Sequence, residues 1–341
     1  MEENKKLVVS ASPHAKSSAT VRGIMLDVII ALIPAAFAGV TVFGLRAALV
    51  MAVCIGCCLL CEFLARKVMK RSNTLGDLSA VVTGLLLAFN LPVKTPLWIC
   101  AIGSFVAIVV VKQFFGGIGH NFANPAITAR IVLLVSFASA LTNFTAPTVG
   151  GADAVSTATP LASLSKITLA GGVGTQLSDL IAEGQIPALL KMFLGVRPGC
   201  IGETCALALL LGAAYLLIRG VIKITIPAAY LLTFTCFMLI ASGFDLTYTA
   251  YELLSGGLLL GAFFMATDYT TSPINTAGKV VFGVGCGVLT AVIRLYCSLP
   301  EGVSYSILLM NIACPLIEKL TAPKYFGFIK KKKEKKAGDA A

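Results

Sequence analysis

Long apolar runs follow one another along most of this chain, and they restrict its fold more than any other feature. Several runs reach the ~20 apolar residues that a helix needs to cross a bilayer. Hydrophobic residues make up 57% and charged residues 13% of the 341 positions, too little charge to cover a soluble protein of this length. The runs do not alternate in polarity as the strands of a membrane barrel do. The sequence therefore predicts an all-α polytopic membrane protein.

The apolar runs divide into ten predicted transmembrane helices, of which the third and fourth are short. The predicted spans are 23–43, 47–65, 77–91, 96–113, 125–141, 202–219, 224–243, 250–267, 279–297 and 303–320. Lysine and arginine cluster before span one, after span two and in the tail at Lys330–Lys336. The protein is expected in the cell inner membrane. Positive residues mark the cytoplasmic side of a membrane protein, so both termini are expected in the cytoplasm. The tail is expected to contact anionic lipid, and nucleic acid is not an expected partner.

The two halves of the chain share a short motif. Gly84–Phe89 recurs as Gly257–Phe263, each time in the third span of its half and before a polar break with proline. Five spans in each half would invert the second copy, an arrangement that places binding sites at broken helices near the midplane. Chance similarity between Leu- and Gly-rich helices is the alternative. The predicted divisions are a cytoplasmic N-terminus (1–22), a first repeat (23–141), an extracytoplasmic loop (142–201), a second repeat (202–320) and a cytoplasmic tail (321–341).

The long loop between spans five and six carries a motif of small and hydroxyl-bearing residues. Its members are Asp153, Ser156, Thr157, Ala158, Thr159 and Pro160. A threonine hydroxyl is a weak nucleophile, so its esterification needs an outside enzyme and an accessible segment with small neighbours. Pro160 biases Thr159 towards an extended backbone, from which its hydroxyl can be presented outward. Ordinary turn chemistry is the alternative reading of this composition.

The loop motif resembles the sites at which a flavin transferase esterifies FMN to threonine in the D-type subunits of Rnf electron-transport complexes. Three further stretches, 112–126, 195–204 and 264–273, are similar to motifs of that family, with Cys200 in place of a serine. The resemblance covers residues 10–328. It implies that Thr159 is the FMN acceptor, with Thr157 as fallback and with Asp153, Ser156 and Ala158 completing the motif.

The resemblance also implies an activity. A member of this family is a membrane subunit of an ion-translocating ferredoxin:NAD⁺ oxidoreductase, relays electrons coupled to Na⁺ or H⁺ transport, and is not active alone. Expected partners are the A-, B-, C-, E- and G-type subunits and a flavin transferase, and riboflavin is an expected second cofactor without an assignable ligand. Two alternatives remain. One is the B-type subunit of sodium-pumping NADH:quinone reductase, in which a longer extension is expected before span one than the 22 residues found here. The other is a urea-transporter-like channel without a redox role.

Glu203 and Asp268 stand out among the ionisable residues near spans, because each lies in a polar break similar to the family's. An unpaired charge within the bilayer costs ~2.5–3.5 kcal/mol, so each is expected to have water or a partner. We interpret both as candidates for an ion pathway, although helix-end charges more commonly reach the headgroups. No catalytic residue and no metal site are predicted, since the chain has two histidines and its cysteine stripe lies along one helix.

Overall fold

The computed structural model describes residues 19–147, 158–167, 173–297 and 301–323. Within these ranges the regular elements are helices, as predicted. The α-helices are α1 (Val21–Phe43), α2 (Leu45–Val68), α3 (Ser79–Phe89), α4 (Leu97–Phe105), α5 (Pro125–Ser136), α6 (Ala138–Leu141), α7 (Pro160–Leu164), α8 (Val173–Ala182), α9 (Leu189–Leu194), α10 (Ala206–Ile218), α11 (Thr225–Ala241), α12 (Leu246–Leu254), α13 (Leu258–Leu260), α14 (Thr276–Tyr296) and α15 (Gly302–Thr321). α4 continues as a π-helix over Val106–Gln113, α13 continues as one over Gly261–Met265, and a short 3₁₀ turn covers Leu75–Asp77.

Four helices of the described ranges are long and apolar enough to cross a membrane, namely α1, α2, α14 and α15. Their bounds agree with predicted spans one, two, nine and ten. The other apolar helices are shorter, between 10 and 17 residues, and include α3, α5, α10 and α11. The chain is therefore a multi-pass membrane protein.

Local sequence explains where several helices begin and end. The Thr20 hydroxyl accepts a hydrogen bond from the Gly23 amide at the start of α1, which satisfies a backbone group that a helix leaves unpaired. Gly44, with φ of +76°, separates α1 from α2, since a positive φ favours glycine. Asn124 caps α5 through its side chain and Pro125 occupies the first helical position, the arrangement expected at a helix start.

The helices pack so that the two halves of the chain share one core. α1 packs against α10, α5 packs against α15, and α11, α14 and α15 form a neighbouring group. Gly212 allows the closest approach, because a side chain there would overlap the carbonyl oxygen of Ala31. The motif shared by the halves takes two conformations: Gly84–Phe89 is α-helical within α3, whereas Gly257–Phe263 passes from α13 into a π-helix.

Candidate functional site

Thr159 lies at the start of α7 as its N-cap. Its backbone is extended, with φ of −72° and ψ of 153°, as the following proline predicted. Its hydroxyl oxygen accepts a hydrogen bond from the Ala162 amide at 3.2 Å. The residue is 8% exposed, so the expectation that its hydroxyl points outward is wrong for this conformation. Ala158 is exposed, whereas Asp153, Ser156 and Thr157 lie outside the described residues.

Leu161, in the helix that follows Thr159, lies beside a bend between α12 and α13. Gly256 lies at this bend with φ of +63°. A Cβ atom at Gly256 would lie 3.0 Å from Cδ2 of Leu161 and 3.1 Å from Nη2 of Arg294. The bend therefore brings the segment of Thr159 close to a buried arginine.

Arg294 belongs to a group of charged side chains that we call the charge cluster. Its members are Arg130, Arg197, Glu203, Glu252, Arg294 and Glu301. Nη1 of Arg294 lies 2.9 Å from Oε2 of Glu252, and both side chains are almost completely buried. Nη2 of Arg294 donates to the carbonyl oxygen of Ser255 at 3.0 Å. Arg294 thus neutralises the buried Glu252 carboxylate and also binds a carbonyl oxygen left without a helical partner where α12 ends.

Arg197 connects the loop before α10 to the end of α12. Nε of Arg197 donates to the carbonyl oxygen of Thr204 at 3.1 Å. The other guanidinium nitrogens donate to the carbonyl oxygens of Glu203 and Leu254. Three carbonyls at helix breaks are therefore satisfied by one buried side chain, which fixes the two breaks relative to each other.

The third part of the charge cluster surrounds Glu203. Arg130 forms an ion pair with Glu301 and donates to Asn90 at 2.7 Å and to the sulfur of Cys200 at 3.7 Å. Oε1 of Glu203 accepts from the Cys200 amide at 2.9 Å. Oε2 of Glu203 is buried and has no hydrogen-bond partner among the described residues. Burial and the neighbouring Glu203 carboxylate raise the pKa of Cys200 to about 12.

Asp268 has no described hydrogen bond or ion pair with the charge cluster, so the structure does not join the two predicted ion-pathway residues in one site. It lines a cavity of about 390 Å³. Other lining residues are Ile24, Leu86, Phe263, Lys112 and Asn121. Oδ2 of Asp268 accepts hydrogen bonds from the hydroxyls of Thr270 at 3.1 Å and Thr271 at 3.3 Å. Burial raises the pKa of Asp268, and these hydrogen bonds oppose that shift.

Sequence reasoning missed the partner of Glu62 and the role of Lys112. Nζ of Lys112 lies 3.0 Å from Oε2 of Glu62 and 2.6 Å from the hydroxyl oxygen of Ser79. The side-chain amide of Gln113 donates to Oε1 of Glu62 at 3.0 Å. The available signal was a lysine at the end of an apolar run, since such a charge needs a partner within the membrane.

Comparison with known proteins places this fold and these motifs in a family. The model of the NQR2, RnfD, RnfE family matches residues 8–327. The chain belongs to this family. The family assignment covers both membrane halves, the segment of Thr159 and all six members of the charge cluster.

Several curated members of the NQR2, RnfD, RnfE family are similar over nearly the whole chain. The D-type subunit of the Na⁺-translocating ferredoxin:NAD⁺ oxidoreductase complex of Acetobacterium woodii is 46% identical, over 97% of this chain and 98% of the relative. The D-type subunit of the proton-translocating ferredoxin:NAD⁺ oxidoreductase complex of Clostridium ljungdahlii is 42% identical, over 94% of this chain and 96% of the relative. The D-type subunit of the ion-translocating oxidoreductase complex of Stutzerimonas stutzeri is 38% identical, over 89% of this chain and 91% of the relative.

Proposed function

We propose that the chain is the D-type subunit of an Rnf-type ion-translocating ferredoxin:NAD⁺ oxidoreductase and acts only within that complex. The observation that carries this proposal is 46% identity over 97% of the chain to a D-type subunit of such a complex. Its partners are then the A-, B-, C-, E- and G-type subunits. Co-purification of these subunits with the tagged chain tests the assignment, and recovery of the chain without any of them from an intact membrane extract contradicts it.

The redox group of the subunit is FMN, joined through its phosphate to Thr159 by a flavin transferase that would cleave the pyrophosphate of FAD and release AMP. The extended backbone of Thr159 and the exposed Ala158 before it support this assignment. The described hydrogen bond of the Thr159 hydroxyl is one that its oxygen accepts, which leaves the proton available for transfer. FMN held there would supply a carrier that exchanges electrons with neighbouring subunits.

The burial of Thr159 adds a step to flavin attachment. A transferase has to reach a hydroxyl that is 8% exposed in this conformation. We therefore expect α7 to open, or to fold after the flavin is attached. α7 has five residues, and a helix this short has little stability of its own. The main cost of opening is therefore the exposure of Leu161 and Leu164, which are buried and contribute about 1.5–3 kcal/mol each.

In-gel flavin fluorescence of the denatured protein tests the attachment site. The chain is expressed with a flavin transferase, and the wild type is compared with Thr159→Val and Thr157→Val. The wild type and Thr157→Val are expected to fluoresce, and Thr159→Val is expected to be dark. A fluorescent Thr159→Val protein places the flavin elsewhere, and a dark wild type beside an active transferase removes the cofactor assignment.

The cavity beside Asp268 is the site for a non-covalent riboflavin. Its volume of about 390 Å³ lies within the range of small-molecule sites. Apolar walls suit the flavin ring, and Lys112, Asn121 and Asp268 are polar residues of the cavity lining. Thr83→Phe, which places a ring in the cavity, is expected to remove non-covalent flavin from the purified protein, whereas Thr41→Phe on the exposed face of α1 retains it. Equal flavin content in both variants excludes this site.

We further infer ten spans in two inverted five-helix repeats, with both termini cytoplasmic and the segment of Thr159 on the outer side. The lysine-rich tail after α15 supports this orientation. A fluorescent protein fused after residue 341 is expected to fluoresce, since it folds in the cytoplasm. Alkaline phosphatase inserted within 142–201 is expected to be active. A dark fluorescent-protein fusion together with inactive alkaline phosphatase would show the opposite orientation in the membrane.

Asp268 and Glu203 remain the candidates for the ion pathway. Asp268 is supported by its place on the cavity wall, and Glu203 by its buried oxygen without a described partner. In the reconstituted complex, Asp268→Asn and Glu203→Gln are expected to lower ion uptake more than electron transfer. Normal ion uptake in a variant removes that residue from the pathway.

A further inference from the structure

Three side chains of the molecule converge on one point beside Arg130. The sulfur of Cys200 and one carboxylate oxygen each from Glu203 and Glu301 all lie within 4.8 Å of one another. They come from the loop before α10 and from the residue preceding α15, so tertiary packing brings them together. Bonds of about 2.0–2.3 Å in a tetrahedral zinc site place ligand atoms about 3.5 Å apart. A small inward movement of these side chains would therefore meet that geometry.

The second observation concerns Glu203 itself. Its side chain is 4% exposed, and its Oε2 has no hydrogen-bond partner among the described residues. A buried carboxylate oxygen without a partner is costly. Arg130 does not remove this cost, because its described contacts are with Glu301, Asn90 and Cys200. Glu203, one of the three grouped side chains, thus keeps one buried oxygen without a described partner.

The geometry points to a binding site for a thiophilic divalent cation, Zn²⁺ or a similar ion, with Cys200, Glu203 and Glu301 as ligands. A sulfur ligand beside two carboxylates suits zinc, whereas Ca²⁺ and Mg²⁺ take oxygen ligands. Coordination of the Cys200 sulfur releases the thiol proton. The Glu301 side chain is 18% exposed, so it offers the ion a way in and leaves room for water as a fourth ligand.

Arg130 becomes a second-layer partner of the bound ion in this arrangement. It already contacts two of the three ligands, Cys200 and Glu301, as the partners of metal ligands do in characterised sites. The ion would join the loop before α10 to the start of α15 and so fix two segments of the second half of the chain together. A tightly held ion excludes Glu203 from the ion pathway, so the Co²⁺ titration also decides between the two proposals for this residue.

Cobalt binding to the purified full-length chain tests the site. The protein is produced without a flavin transferase, so that covalent flavin absorption does not interfere, and is titrated with Co²⁺ in detergent. We expect one Co²⁺ per chain and a sulfur-to-cobalt charge-transfer band that added Zn²⁺ removes. Cys200→Ser is expected to lose the band, while Cys205→Ser retains it, because Cys205 is a buried neighbour that caps α10 and lies outside the group.

A second variant tests the proposal independently of Cys200→Ser. Glu203→Gln is expected to weaken Co²⁺ binding by about tenfold or more, as even changes in outer partners of metal ligands do. This variant also provides a ligand test that does not depend on how well Cys200→Ser folds. A band that persists in Cys200→Ser, unchanged affinity in Glu203→Gln, or a wild type that binds no Co²⁺ overturns the site.

Discussion

Nζ of Lys112 lies 3.0 Å from Oε2 of Glu62, and the two side chains are only 3% and 0% exposed. This ion pair joins the π-helical end of the fourth predicted span to α2. The Ser79 hydroxyl accepts a further hydrogen bond from Lys112 at 2.6 Å, which adds α3. Three helices therefore meet at one buried ion pair, which also forms part of the cavity wall through Lys112.

Loss of one member of this pair is expected to be strongly destabilising. Lys112→Met leaves the Glu62 carboxylate buried without its counter-charge, which typically costs ~3–5 kcal/mol. The double variant Lys112→Met/Glu62→Leu is expected to recover much of that loss. Thermal unfolding in detergent measures both effects. Arg219→Met, which breaks the exposed ion pair with Asp27, serves as control and should change the midpoint little. Equal midpoints for Lys112→Met and the control contradict the prediction.

Gly212→Ala is expected to push α10 away from α1. A Cβ atom there overlaps the backbone of Ala31, and such overpacking costs about 1–3 kcal/mol. Gly56→Ala on α2 is the matched control, because no atom lies within 4 Å of its added carbon, and alanine favours a helix by up to about 1 kcal/mol. The two variants should shift the thermal midpoint in opposite directions. A stabilised Gly212→Ala protein contradicts the close packing of α1 and α10.

Arg197→Lys is expected to loosen the loop before α10. A lysine ammonium cannot reproduce the fork that serves the carbonyls of Thr204, Glu203 and Leu254, and one lost bond to a charged donor costs ~1.5–3 kcal/mol. Limited proteolysis should cleave residues 195–205 faster in the variant. Lys191→Ala, on the exposed surface of α9, should leave cleavage unchanged. Equal cleavage in both variants rules out an anchoring role for Arg197.

Thr159 combines a structural role with its proposed chemical one, and two variants separate them. Thr159→Ala removes the N-cap of α7, a change that costs ~1 kcal/mol, and hydrogen exchange at the Ala162 amide should become faster. Thr159→Asn keeps a capping oxygen but has no hydroxyl to esterify. We expect Asn to retain slow exchange while lacking flavin fluorescence. Covalent flavin on Thr159→Asn would show that the flavin is attached to a residue other than Thr159.

The ends of the apolar segments could be predicted from sequence, but their interruptions could not. Predicted span four, 96–113, corresponds to α4 and its π-helical continuation, Leu97–Gln113. Predicted span eight, 250–267, is instead broken at Ser255–Gly257 between α12 and α13. Hydropathy has no signal for this break, because it depends on Gly256 at positive φ and on Arg294, which binds the carbonyl of Ser255 from another helix.

The candidate site shows the same division. The loop motif singled out Thr159 and the extended backbone that Pro160 imposes, both of which are local properties. Its burial was not predictable, since the neighbouring Leu161 lies against a bend at Gly256, about a hundred residues away in sequence. Glu203 was selected from its polar surroundings, whereas its neighbours Arg130 and Glu301 come from distant segments.

The sequence by itself determined that this chain is an all-helical membrane protein, because transfer into a bilayer depends on the composition of each segment. It also determined the family, through motifs that are contiguous along the chain. Only the tertiary structure decided which charged residues pair. Glu62 and Lys112 are 50 positions apart, and their attraction becomes strong only when packing removes both from water and holds their charged atoms in contact.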